Sequence, residues 1–509
     1  MNKQSKIFVM MLLCCCYTLQ AQKYQPDWKS LSTHTKIPKW FKDAKFGIYF
    51  HWGVYSVPGF GNEWYPRNMH FQNDKVHKYH EENYGPTNKF GYHHFIPLFK
   101  AEYFNAEEWA QLFKKAGAKF AGPVAEHHDG FAMWDSECTP WNAKDMGPKR
   151  DIVGEIERAV KKEGMKFITT FHHARNLQRY SSPEILKNEL SKDMKGKETK
   201  RFYNSHYPFF SGTFPTSDDS KLKYLYGNIP EQQWLENIWL GKLKEVIDNY
   251  DPDLIWFDSW LNCIPDSYQQ KFCAYYFNKA DERNKEVCVV RKQKDMPASV
   301  SIENLEKTRK SDLQPEAWET DQTISTGSWC YTHNMKIKPS RNLIHELIDI
   351  VSKNGVLLLN ISPKANGIIP DDQRKTLLEI GNWLEKYGEA IYDTRPWYTY
   401  GEGPTKEPND SSLENHRKFY NLKYTSGDFR FTTKGNHIYI LTLGKLVAGN
   451  IITLKSFAAS TIPNGKKVKK VSMLNSDKKV DWAMETTGLK LSVPEVPNET
   501  AVVYKVEME

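Results

Sequence analysis

Beyond its N-terminal segment, the chain has no run approaching the roughly 20 consecutive apolar residues that a membrane-spanning helix needs. It is also poor in cysteine. Five remain after residue 21 (Cys138, Cys263, Cys273, Cys288 and Cys330), an odd number with no C-x-x-C pair. That excludes a disulfide framework and a zinc module, and leaves one or two bridges or a set of free thiols equally open. No G-x-G-x-x-G follows the first strand-like run, which argues against a dinucleotide-binding sheet. H-E-x-x-H is missing, and so is an H-x-H after that run. Charge of one sign is not in excess: +8 overall, falling to +6 without Lys3 and Lys6. No basic stripe interleaved with aromatics is present, so nucleic acid is not the expected partner. The Lys466–Lys470 cluster reads as a solvated face.

What is present begins with Lys3 and Lys6, the apolar run Ile7–Leu13, Cys14–Cys16 and then Leu19-Gln20-Ala21. A short positive region, an apolar core too short to cross a bilayer and a small residue at its exit describe a secretory signal peptide, cut after Ala21. A lipid anchor on Cys16 is the alternative, but Leu13-Cys14-Cys15 lacks the small residues such a site favours. The expected mature protein is secreted or periplasmic, with no membrane span.

Between about residues 40 and 390, short apolar runs alternate with amphipathic stretches. Lys45–Phe50, Lys119–Val124, Lys166–Phe171, Leu254–Phe257, Val287–Val290 and Val356–Ile361 read as buried strands, and Ser299–Ile302 and Trp318–Thr323 as weaker ones. Helical spacing falls on Ala106–Ala116, Ile152–Lys162, Trp234–Tyr250, Tyr268–Asn284, Arg341–Lys353 and Gln373–Tyr387. Buried strands alternating with helices mean parallel pairing. Eight such units predict an α/β fold, a (β/α)8 barrel over residues 22–395, with Tyr180–Pro230 inserted over its mouth. After Pro396 short alternating runs predict an antiparallel β-sandwich over residues 396–509.

Polar residues cluster just after the strands: His51 and Trp52, with Glu63 and Trp64 in the loop beyond; Glu126-His127-His128-Asp129; His172 and His173; Asp258; Arg291; Glu303. In a parallel barrel these strand ends gather at one rim, where active sites of this fold are built. Two chemistries fit such a rim. One is metal-assisted hydrolysis through the histidines, although adjacent histidines on an extended segment point to opposite sides. The other is glycoside hydrolysis by two carboxylates, with His, Arg and Trp gripping the sugar. The second uses every group and requires no metal or other cofactor.

The segment Lys45–Gly53 with Glu63-Trp64-Tyr65 resembles the opening of glycoside hydrolase family 29, the α-L-fucosidases. So do Ala116–Phe120 leading to His127–Phe131 and Trp134-Asp135-Ser136, and later Trp318-Glu319-Thr320, Ser328-Trp329 and Val351–Asn360. The resemblance implies a retaining, metal-independent barrel enzyme with a C-terminal β-sandwich, acting on fucosylated glycans. It implies Asp258, ending Trp256-Phe257-Asp258, as nucleophile. His51, Glu63, Trp64, His127 and His128 fall on sugar-pocket positions, and Arg291 on a pocket arginine. The family's usual Tyr after the third strand has no evident counterpart: Phe171 and His172 occupy that stretch, and His172 is read as a further sugar-pocket residue. Glu303 suits the acid/base best, with Glu306, Glu316 and Glu319 as rivals. Another retaining exo-glycosidase for a galactose-like sugar, or a non-catalytic sugar-binding protein, remain the alternatives.

Overall fold

The computed structural model describes residues 22–70, 73–175, 224–225, 229–406, 408, 419, 422–494 and 500–509. The signal-peptide reading, its cleavage site, Cys16 and nearly all of the expected insertion lie outside the described residues. Eight parallel strands close into a barrel in chain order: β1 Phe46–Phe50, β2 Phe120–Glu126, β3 Lys166–Phe171, β4 Leu254–Phe257, β5 Cys288–Lys292, β6 Ile302–Glu306, β7 Trp318–Thr323 and β8 Gly355–Ile361. The expected barrel is therefore the observed one.

Burial on both faces explains the near-continuous apolar strands. One face of each strand fills the barrel interior, with Tyr49, Phe120, Val124, Ile168, Leu254, Trp256, Cys288, Val290, Ile302, Val356 and Leu358 in one cluster. The alternate residues, such as Phe257 and Val289, pack against the surrounding helices. β7 differs: its inward residues are Glu319 and Asp321, both fully buried.

The helices carry the sequence signals that start and stop them. In Ala106–Lys115 the side chain of Asn105 accepts from the Glu108 N–H, Glu107 and Glu108 occupy the first turn, and Lys114 and Lys115 the last. Gly117, at φ 92°, takes the left-handed turn that ends it. The helix expected over Trp234–Tyr250 runs in wide π-type turns over Trp234–Leu240 before becoming α-helical at Gly241–Tyr250. Widening frees carbonyls from the usual ladder, and His173 Nε2 donates to that of Trp239 at 3.2 Å.

The C-terminal region forms two antiparallel sheets around one apolar core. The larger has the order β13 (Val468–Met473), β16 (Val503–Met508), β11 (His437–Thr442), β10 (Phe429–Lys434), β9 (Arg395–Glu402). The smaller has β12 (Ile451–Leu454), β15 (Gly488–Ser492), β14 (Trp482–Glu485). β9, β14 and β15 were not legible in sequence. β9 contains Pro396, and three of the four residues of β14 are exposed, so neither shows a clean alternation.

A buried ion cluster ties this region to the barrel. Asp349, fully buried on the helix Ser340–Ser352, meets Arg430 of β10 at 2.6 Å, Arg309 at 2.7 Å and Lys353 at 2.9 Å. Burial opposes its charge, but Lys353, Arg430 and Arg309 outweigh burial and hold its pKa well below the ordinary value. The stabilisation is thus complete above the unfolded carboxylate pKa and is lost only as pH falls through the depressed folded one. Removing the anion leaves three buried cations, so Asp349→Ala is expected to cost about 3–5 kcal/mol. A thermal melt at neutral pH checks this; an unchanged apparent Tm contradicts it.

All five cysteines after residue 21 are free thiols. No helix among the described residues is long and apolar enough to cross a membrane.

Candidate active site

The site lies at the C-terminal rim of the barrel, centred on the residue that follows β4. Asp258 shares the inward parity of Leu254 and Trp256. Its Oδ1 is 2.9 Å from Lys292 Nζ, and its Oδ2 accepts from His128 Nε2 at 3.1 Å. Both oxygens are therefore engaged by functional groups. The short turn after it, Leu261–Cys263, is entered from Trp260 and has no side-chain cap. Trp260 itself is left-handed at φ 79°, unusual for a bulky residue, with its N–H donating to Asp295 at 2.8 Å.

Burial alone would raise the Asp258 pKa. Lys292, His172 and His128 together reverse that and hold it well below the usual carboxylate range. Burial likewise opposes charge on Lys292, but Asp258, Asp321 and Glu306 keep it protonated, with a raised pKa. Lys292 Nζ is 2.9 Å from Glu306 Oε2 and 3.7 Å from Asp321 Oδ2, and lies over the Trp256 ring at 4.8 Å. One lysine thus bridges the carboxylates at the ends of β4 and β6. Two oxygens each 2.9 Å from one nitrogen are at most about 5.8 Å apart, a bound that admits the roughly 5–5.5 Å between paired carboxyl groups of retaining glycosidases.

Histidines form the adjoining wall. The ring centroids of His51, His127 and His172 are 5.3, 5.2 and 4.5 Å apart in pairs. Their ligand atoms lie within 4.8 Å of one another, so this trio is also where a metal ion would be held. Burial keeps His51 neutral, with a pKa near 3, and lowers His128 to about 4 and His172 well below its ordinary value. His51 stacks on Trp329 at 5.4 Å, and Trp64 meets His128 edge-on at 4.8 Å. Glu63, buried in the loop after β1, accepts from the Trp329 N–H at 3.2 Å; burial raises its pKa. The Arg175 guanidinium sits between the rings of Trp64 and Trp260, at 4.2 and 4.8 Å.

The structure therefore brings together Asp258, His51, Glu63, Trp64, His127, His128 and His172, and it does not bring Arg291 or Glu303 to them. β5 runs two residues past Val290, and the inward position at its end is Lys292. Arg291 pairs in register with Phe257 and Glu303, on the outward face. Its Nη1 donates to the Ser301 carbonyl at 3.2 Å. β6 begins at Ile302, where the sequence reading ended it, so Glu303 is its second residue and Glu306 its last. Glu303 pairs with Lys310 at 2.8 Å and lines a surface cavity with Lys36, Arg291 and Glu316. Of the rivals, Glu316 is exposed and paired with Lys36, and Glu319 lies deep in the barrel against Asn304. Burial pushes the Glu319 pKa up to about 8.

Of the other rim residues, Glu126 and His173 face the helices, bonded to Lys242 at 2.6 Å and to Trp239. Residues that sequence reasoning passed over include Lys292, Asp321 and Asn360. Inward parity on β5, β7 and β8 is the signal that finds them.

The family model described as alpha-L-fucosidase matches residues 11–389. The tissue alpha-L-fucosidase of Rattus norvegicus is 30% identical over 494 residues, covering 95% of this chain and 91% of the rat protein. The plasma alpha-L-fucosidase of Homo sapiens is 33% identical over 407 residues, 77% of each chain. Among solved structures, the Thermotoga maritima alpha-fucosidase in complex with fucose superposes with a TM-score of 0.70 at 28% identity, covering 95% of this chain and all of that one.

Proposed function

The chain belongs to the α-L-fucosidase family, and from that premise we propose that it removes terminal α-L-fucosyl groups from oligosaccharides or glycoconjugates by double displacement, with net retention. The observation that carries the reading is the lysine-bridged pair: Asp258, held ionised at the rim, and Glu306 on the same Lys292 nitrogen. His51, Glu63, Trp64, His127, His128 and His172 surround Asp258 with hydrogen-bonding groups and ring faces, as a pyranose with an apolar patch requires.

In the first step an Asp258 oxygen attacks the anomeric carbon as the glycosidic oxygen leaves with a proton from Glu306, giving a fucosyl ester of Asp258. In the second, Glu306 takes a proton from water, the water oxygen attacks the same carbon, and the Asp258 carboxylate is released. Lys292 makes the acid role of Glu306 conditional. Burial raises the Glu306 pKa, Lys292 lowers it, and the net direction is down. A sugar that parts Lys292 from Glu306 removes the largest influence lowering its pKa, while burial and the Asp258 charge still favour the protonated acid against the smaller pull of Lys307. Proton NMR of the first-formed fucose tests the mechanism: the retained anomer is expected, and an inverted one refutes it. A panel of aryl glycosides tests the sugar, and preference for a galactose-like ring without turnover of the fucoside refutes that part.

Lys292 also sets a pH limit. Asp258 acts ionised, so kcat/KM falls as pH drops through its depressed pKa. Lys292→Met leaves burial less opposed, so the acidic limb of the kcat/KM profile on an aryl fucoside is expected to move to higher pH. An unmoved limb argues that another group titrates there.

We further propose that the protein is exported by its N-terminal segment. N-terminal sequencing of the secreted product, expected to begin at Gln22, checks this.

A further inference from the structure

We infer that the imidazoles of His51, His127 and His172 form a site for one divalent transition-metal ion, zinc being the ion they suit best, and that the ion excludes the sugar from the pocket. The first half stands on the histidines alone; the exclusion rests on the sugar-pocket reading above.

The geometry is the main support. A zinc ion about 2.0–2.1 Å from three imidazole nitrogens at tetrahedral angles places the ring centroids roughly 5 Å apart. The observed separations are 5.3, 5.2 and 4.5 Å. All three residues are buried, and their ligand atoms lie within 4.8 Å of one another.

The hydrogen-bond network fixes the tautomer of His51. Asn360 Nδ2 donates to the carbonyl of Trp329 at 2.7 Å, which orients its amide. Asn360 Oδ1 then accepts from the His51 N–H at 2.9 Å and from His51 Nδ1 at 2.8 Å. Nδ1 therefore carries the proton and the Nε2 lone pair is left for a ligand. A ligating imidazole held by such an acceptor is the usual second layer of a metal site. His172 Nδ1 is buried without a hydrogen-bond partner. Charge agrees as well: Asp258, Glu306 and Asp321 lie around Lys292 beside the trio, with Lys307 over Trp329 at 4.3 Å and Arg175 over Trp64 at 4.2 Å as the other cations nearby. The ion proposed is a ligand of the resting pocket and takes no part in the double displacement.

The test uses the full chain freed of metal by chelation. Titration with Co2+, read by the visible absorption of a tetrahedral ion, and with Zn2+ by calorimetry, is expected to show one equivalent bound. His172→Phe and His172→Gln are expected to weaken binding more than about tenfold, since even outer-layer changes at metal sites cost 10–100-fold. His173→Phe, whose parent side chain faces the helices, is expected to bind as the parent does. Absence of stoichiometric binding, or binding by folded His172 variants equal to the parent, overturns the site. Zn2+ at ten times its dissociation constant is expected to raise the apparent KM for an aryl fucoside roughly elevenfold at constant kcat, as pure competition requires. Metal binding that depends on His172 but leaves KM unmoved overturns the exclusion and the sugar-pocket reading, while the metal site stands.

Discussion

Asp258→Gly is expected to lower turnover of every fucoside by about 10⁴-fold or more, because no other group replaces a lost nucleophile. The loss is expected to be chemical rather than structural. Asp258 leaves behind His128, which burial keeps neutral, and Lys292, which retains Glu306 at 2.9 Å and Asp321 at 3.7 Å. No unpaired buried charge is created, so circular dichroism and the melting temperature should stay near the parent's. The cavity left by the carboxylate admits a small anion. With azide and a fucosyl donor bearing a good leaving group, attack comes from the vacated face, and the product is a fucosyl azide of inverted configuration. The same azide reaction on the parent enzyme should give retention. A folded Asp258→Gly protein that still turns over its substrate efficiently removes the nucleophile assignment, and with it the double displacement proposed here.

Most of the barrel was legible in sequence because its strands are apolar and its helices amphipathic, two of them with side-chain N-caps at Asn105 and Asp151. β3, β4 and β7 occupy the ranges their residues predict, and the helix Ile152–Lys162 does so to the residue. The strands whose ends were read short, β2, β5 and β6, all end in a charged residue: buried Glu126, buried Lys292 and half-buried Glu306. Lys292 closes β5 and Glu306 closes β6, yet charged residues ordinarily signal that a strand has left the core. β5, buried on both faces, also has no alternation to mark its phase. Ending β5 at Val290 and β6 at Ile302 made Arg291 and Glu303 look like rim residues. Val290 and Ile302 point into the barrel, so the residues directly after them, Arg291 and Glu303, point outward, because side chains alternate. Asp258 was immune to this error, since Asp253 and Asp258 bound a run of only four apolar residues, and the last of them, Phe257, faces outward. What sequence could not provide was the contact: parity marks Lys292 as inward, but that its ammonium meets Asp258 rests on the register between β4 and β5 and the 2.9 Å pair it produces.

The same parity argument decides the second carboxylate. Glu306→Ala is expected to slow hydrolysis of natural fucosylated oligosaccharides by about 10²–10⁴-fold, the usual worth of positioned proton transfer. Glu303→Ala is expected to change it by less than about threefold, since exposed ion pairs such as Glu303–Lys310 contribute little. A nitrophenyl fucoside needs no proton on its leaving group, so Glu306→Ala should form the Asp258 ester nearly as the parent does and then stall for want of a base. A burst of nitrophenolate followed by slow release is the expected trace. Azide needs no deprotonation, so it should restore the second step and yield a fucosyl azide of retained configuration, opposite to the product of Asp258→Gly. The two variants thus differ in the stereochemistry of one product, which no general loss of folding can imitate. If instead Glu303→Ala shows the burst and the retained azide, the outward face of β6 is not where that carboxylate acts, and β6 must shift register when substrate binds. If neither variant is rescued, the proton donor is a third group. Asp321 is then the first to examine: it is buried beside Lys292, and burial raises its pKa to about 6, within reach of proton exchange near neutrality.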